Sequence, residues 1–140
     1  MADLGSVKVF AGLTEKELKA IERELKTVHH RAGHEITVTG DGGVGFMIIS
    51  AGRATVRTVT GKTRTLGPGD SFGEMALLDD EGRSATIRAE TDITLETVAA
   101  WSFKSFLREH PDVAYNLLQV LSRRVRQAEA EAEATSAGKQ

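Results

Sequence analysis

The sequence predicts a mainly β fold: an antiparallel β-roll of jelly-roll type, about eight strands, with an N-terminal helix and two C-terminal helices. Three observations predict it. Residues 29–100 break into short β-branched runs punctuated by glycine. Apolar residues recur at helical spacing before that stretch and again after it. The chain has 140 residues, 40% of them hydrophobic, which suits one domain around one core.

The first helix is read over residues 14–28. Thr14 and Glu17 stand at capping-box spacing, so each can satisfy the other's free backbone N–H. Leu18, Ile21, Leu25 and Val28 then recur at steps that share one helix face.

The strands follow as "HEITVTG", "GFMIISAG", "RATVRTVTG", "KTRTLGPGD", "SATIRAE" and "DITLETVAA". Short runs at regular spacing with glycine turns indicate a sandwich or barrel. Thr60-Gly61-Lys62 reads as a hairpin. Gly67-Pro68-Gly69-Asp70 reads as a tight turn, with proline fixing φ and glycine free to take positive φ.

Helical period returns in "WSFKSFLREHPDVAYNLLQVLSRRVRQAEAEAEA". Pro111 divides it, because the residue before proline avoids helical backbone angles. The expectation is a short helix near 102–108 and a long one from about 112. Residues 1–134 form one domain, with 135–140 a disordered tail.

Composition excludes several function classes. Eighteen basic and 20 acidic residues give a formal charge of −2, no footprint for nonspecific nucleic-acid binding. There is no cysteine, hence no disulfide, thiolate metal site or thiol nucleophile. No signal peptide is visible in "MADLGSVKVFAGL", and no run is apolar and long enough to span a membrane. A cytoplasmic location is expected.

The segment "FGEMALLDDEGRSATI", residues 72–87, gathers the chemistry. A short helix starting near Glu74 would aim the backbone N–H groups of Gly73 through Ala76 at one point, as anion sites do. Gly73 lets a ligand approach closely. Arg83 offers a planar fork for phosphate oxygens, and Ser84 a hydroxyl. Glu74 is an acceptor only, so its natural partner is a hydroxyl rather than a phosphate. A phosphate beside a sugar hydroxyl describes a nucleotide. No G-x-x-x-x-G-K-[ST] motif is present, which argues against a magnesium triphosphate.

"FGEMALL" followed by "RSAT", with Arg83 nine positions after Glu74, resembles the phosphate-binding cassette of cyclic nucleotide-binding domains. These domains occur in catabolite-activator-type regulators, kinase regulatory subunits and gated channels. "GDGGVGFMIISAGRATV" and "LGPGDSFGE" are similar to neighbouring parts of the same family, and the likeness covers roughly residues 8–125. The resemblance implies that Glu74 takes the ribose 2′-hydroxyl and Arg83 the cyclic phosphate. It implies backbone contacts from Gly73, Met75 and Ala76 and a phosphate contact from Ser84. It implies cAMP as first ligand, with cGMP as the alternative, because threonine after the cassette arginine often accompanies cGMP and here that residue is Ser84. The domain would sense and not catalyse: the stretch offers no nucleophile–base pair. The output would be movement of the C-terminal helices toward a protein partner or fused effector, with no direct nucleic-acid binding by this chain.

Plainer readings stand beside these. Alone, Glu74 is an exposed carboxylate at a helix start. Arg123, Arg124 and Arg126 read as a solvated face balanced by Glu129, Glu131 and Glu133. Leu118, Leu121, Val125, Ala128 and Ala132 form a short heptad seam, enough for a weak homodimer, while Leu117, Leu118 and Leu121 would pack the helix on the roll. Two further classes remain: the sensor part of a catabolite-activator-type transcription regulator, without its helix-turn-helix, and a cupin-type metalloenzyme. For the latter, His29, His30, His34 and Glu35 would have to converge. Adjacent histidines on a strand face opposite ways, so no metal is expected.

Overall fold

A computed structural model describes residues 4–36, 45–58, 61–74 and 85–137. Among them are the helix α1 (Glu15–Glu24) and eight strands: β1 (Lys26–His30), β2 (Glu35–Ile36), β3 (Phe46–Ala51), β4 (Ala54–Thr58), β5 (Thr63–Leu66), β6 (Ser71–Phe72), β7 (Ala85–Ala89) and β8 (Ile93–Val98). The helices α2 (Phe103–Glu109) and α3 (Pro111–Ala137) follow. No described helix is long and apolar enough to cross a membrane.

The strands form two four-stranded sheets, ordered β1-β8-β3-β6 and β2-β7-β4-β5. Every described pairing is antiparallel. Only β4 and β5 are paired neighbours in sequence; the other strands cross from sheet to sheet, the jelly-roll ladder. The predicted β-roll is therefore the observed fold.

The capping box forms as expected. The Glu17 amide donates to Thr14 Oγ1 at 3.1 Å, and the Thr14 amide to Glu17 Oε1 at 3.3 Å. The helix does not run to Val28, however. It stops at Glu24, Leu25 turns extended, and Lys26–His30 pair with β8 instead. Val28 sits opposite Leu95. A β-branched pair, Thr27-Val28, favours that pleated edge over another helical turn.

The single expected core is two. Ile36, Met47, Ile49, Val56, Leu66, Phe72, Ile87 and Leu95 fill the space between the sheets. Phe10, Ile21, Phe46, Ile48, Val98, Phe103, Phe106, Val113 and Leu117 join the helices to the outer face of the first sheet. The run Phe46-Met47-Ile48-Ile49 is buried throughout because alternate residues serve opposite cores.

The predicted turns are in place. The Gly61 amide donates to Thr58 O at 2.9 Å, closing the β4–β5 hairpin. The Asp70 amide donates to Gly67 O at 3.0 Å, and Asp70 Oδ2 accepts from the Gly67 amide at 2.9 Å. Pro111 opens α3 as predicted, and the helix continues to Ala137, into the segment read from sequence as a tail. Asn116 fastens α3 to the N-terminal segment, donating to Val9 O at 3.1 Å and Ala11 O at 2.9 Å.

Candidate functional site

The site begins where β6 ends. Ser71 and Phe72 pair with Ile48 and Met47 of β3, which pins the chain against the first sheet. Gly73 follows with φ +95°, a conformation that side chains resist. A Cβ there would lie 2.5 Å from the Gly45 carbonyl oxygen. Glycine is thus required twice over, by its dihedral and by the close approach of residue 45. The turn delivers Glu74 in helical conformation.

Glu74 is not the exposed helix-start carboxylate of the plain reading. Its residue exposure is 1%. A buried carboxylate requires a charged or hydrogen-bonding partner. Arg124, from α3, supplies it through Nη1, while Nη2 donates to Ser71 O at 2.9 Å. One guanidinium therefore binds the side chain of Glu74 and the backbone beside it.

Arg124 was read from sequence as part of a solvated face, and the structure corrects this. Val113, Leu117 and Val120 form the buried stripe of α3, and Arg124 is the next position along it. That spacing was available in the sequence and is the signal that could have found it. Leu118 and Val125, at 65% and 55% exposure, lie off that stripe.

A groove of about 360 Å³ separates α3 from the roll. Arg64, Thr65 and Leu66 of β5 line one side with Ser71; Val120, Arg123, Arg124 and Gln127 line the other. Lys8 and Asp70 also line it, paired at 2.5 Å. Partial burial lowers the pKa of Arg64, and the Arg124 guanidinium lowers it further, with Glu74 and Asp70 opposing. The groove is thus predominantly cationic, a field that suits an anion.

Of the residues predicted for the site, Gly73 and Glu74 follow Ser71 of the groove wall, and Glu74 is joined to the groove through Arg124 without lining it. Met75, Ala76, Arg83 and Ser84 lie outside the described residues. The histidines of the metalloenzyme reading are dispersed in their roles. His29 Nδ1 bonds Thr94 Oγ1 at 3.1 Å, and His30 stacks on His34 with ring centres 4.5 Å apart.

Residues 27–110 match the family model described as the cyclic nucleotide-binding domain, and the chain belongs to that family. The Cyclic AMP receptor protein of Thermus thermophilus is 34% identical over 128 residues, 88% of this chain and 59% of that one. Glutaminase 2 of Bradyrhizobium diazoefficiens is 32% identical over 139 residues, 96% of this chain but only 22% of that protein. Kinases and kinase subunits dependent on cAMP or cGMP also match. Among solved structures, the Thermus thermophilus catabolite activator protein superposes with a TM-score of 0.79 at 33% identity, over 92% of this chain and 63% of that one. The chain therefore spans about an eighth to three fifths of the length of these relatives.

Proposed function

We propose that this domain senses cAMP, in preference to cGMP, in the cytoplasm and performs no chemistry of its own. The observation that carries the reading is the buried acceptor Glu74, set by a glycine-only turn and held by Arg124, which itself lines a cationic groove. An acceptor-only carboxylate suits the ribose 2′-hydroxyl. Arg83 and Ser84 take the cyclic phosphate, helped by the backbone of Gly73, Met75 and Ala76. The base extends along the groove toward α3. The likeness to a Cyclic AMP receptor protein and the serine at position 84 support cAMP.

The response is a change in how the end of α3 sits over the groove, since Arg124 ties that helix to the cassette. A ligand shifts such an equilibrium only by binding one arrangement better. The output partner is a protein or fused effector. Leu118 and Val125 stand exposed along the predicted seam, which supports a weak homodimer through α3. The likeness to a catabolite activator over 63% of its chain favours one specific setting, the sensor part of a transcription regulator. Mass spectrometry of ligand released from purified protein, followed by calorimetry with cAMP and cGMP, tests the reading. Ligand-free protein that binds neither nucleotide at millimolar concentration overturns it.

A further inference from the structure

Away from the groove lining, Glu24 converges with the adjacent pair Glu109-His110. Glu24 is the last residue of α1, Glu109 the last of α2, and His110 the link from α2 to α3. One ligand atom from each lies within 4.8 Å of the others. Among the described residues this is the one set of three potential metal ligands so gathered.

The histidine is held in place. Its ring packs on Phe106 with centres 5.0 Å apart, and its amide donates to Phe106 O at 3.0 Å. Its side chain is 12% exposed, and Nε2 stands 2.6 Å from Glu24 Oε2. That contact alone is an ordinary pair. Glu109 takes no part in it, yet brings a second carboxylate to the same spot. Two carboxylates against one imidazole leave negative charge in excess even when the ring is protonated. A divalent cation at the centre would balance both.

We propose that Glu24, Glu109 and His110 form a zinc site that joins the end of α1 to the elbow between α2 and α3. Zinc takes nitrogen and carboxylate oxygen at ~2.0–2.2 Å, so neighbouring ligand atoms on its tetrahedron stand ~3.3 Å apart. Reaching that spacing requires Nε2 and Oε2 to part from 2.6 Å and the set to draw in from within 4.8 Å. Three protein ligands leave the fourth position to water. The imidazole selects zinc over magnesium, which favours an all-oxygen octahedron. The clamp would act on the elbow from which α3 departs toward Glu74, without using any residue of the nucleotide groove.

The test uses the full chain stripped with EDTA, titrated with zinc chloride by calorimetry and by thermal melting, with magnesium chloride as control. One zinc per chain is expected, with a rise of several degrees in Tm and no response to magnesium. Glu24→Gln and His110→Ala should abolish both signals. Because those two also break the Glu24–His110 pair, Glu109→Gln is the sharper variant. It should leave the metal-free Tm unchanged and weaken zinc binding at least tenfold. Parent-like zinc affinity in Glu109→Gln, or no stoichiometric binding in the parent, overturns the proposal. So does a zinc signal that vanishes instead in His30→Ala, which places the metal at the β1 histidines.

Discussion

Arg124 on the last helix holds the buried carboxylate of Glu74, fifty positions earlier in the chain, and the Ser71 carbonyl beside it. Removing one partner of such a pair strands the other. Arg124→Met should cost about 1.5–3 kcal/mol of stability, the range for hydrogen bonds to charged groups. Arg124 is partly solvated, which favours the lower end. Glu74→Gln added to Arg124→Met should cost less than Glu74→Gln in the parent. Urea unfolding of the four proteins checks this, and simple additivity would show that the two side chains are energetically independent.

Gly73→Ala should destabilise the fold by more than ~1 kcal/mol, because alanine is strained at positive φ and has no room there. Its Cβ would press on the Gly45 carbonyl, an atom of backbone that cannot swing aside. Gly61→Ala has the same strain without the contact and is the control. Equal unfolding midpoints for the two variants would mean that the close approach of residue 45 contributes nothing.

Arg83→Ala should weaken cAMP binding by about 2–5 kcal/mol, the cost of stranding a buried phosphate charge. Arg83→Lys should lose much of the same energy, since an ammonium cannot form the bidentate fork. Glu74→Ala should cost about 1.5–3 kcal/mol of affinity and narrow the preference for cAMP over its 2′-deoxy analogue. Calorimetry on the three variants is the measurement; a parent-like affinity in both Arg83 variants removes that residue from the site.

Stability should fall on acidification through His30. Partial burial lowers its pKa, and the neighbouring His34 lowers it further. The folded state therefore favours the neutral ring. Below the unfolded value of ~6.5 the unfolded chain binds more protons than the native one, so stability declines as pH drops through that value. Above it the contribution is flat. Thermal melts between pH 7.5 and 5.5 should show a shallower decline for His30→Gln than for the parent. Parallel curves would remove His30 from the acid response.

Cyclic nucleotide should protect two separated segments from hydrogen exchange, 72–86 around the cassette and 112–127 on α3. The coupling is expected because Arg124 bridges them. Protection confined to 72–86 would make α3 a fixed support and place the response elsewhere.

Local signals in the sequence were faithful and non-local ones were silent. The capping box, the Gly61 hairpin, the Gly67–Asp70 turn and the division at Pro111 all depend on residues within a few positions. The end of α1 was misplaced because its limit is set by β8, some seventy residues away, which recruits Lys26–His30 as a strand. Glu74 was legible as a hydroxyl acceptor, but its burial was not, since the covering residue comes from α3. Arg124 stands in a run of three arginines whose charge hides its place after Val113, Leu117 and Val120, where it continues the buried stripe.

Strand β3 is a wall shared by two rooms, with Phe46 and Ile48 facing the helices and Met47 and Ile49 facing the interior of the roll. Pulling α2 and the first turns of α3 away would leave one side of that wall bare to water, a large hydrophobic loss. Beyond Val120 the residues of α3 become mostly exposed, and polar contacts take over: Arg124 to Glu74 and Ser71, and Glu131 to Lys62 at 3.5 Å. Arg124 sits within the first turn of that stretch. Up to Val120 apolar side chains fasten the helices to the roll; past it, the fastening is the guanidinium on Glu74 and its polar neighbours.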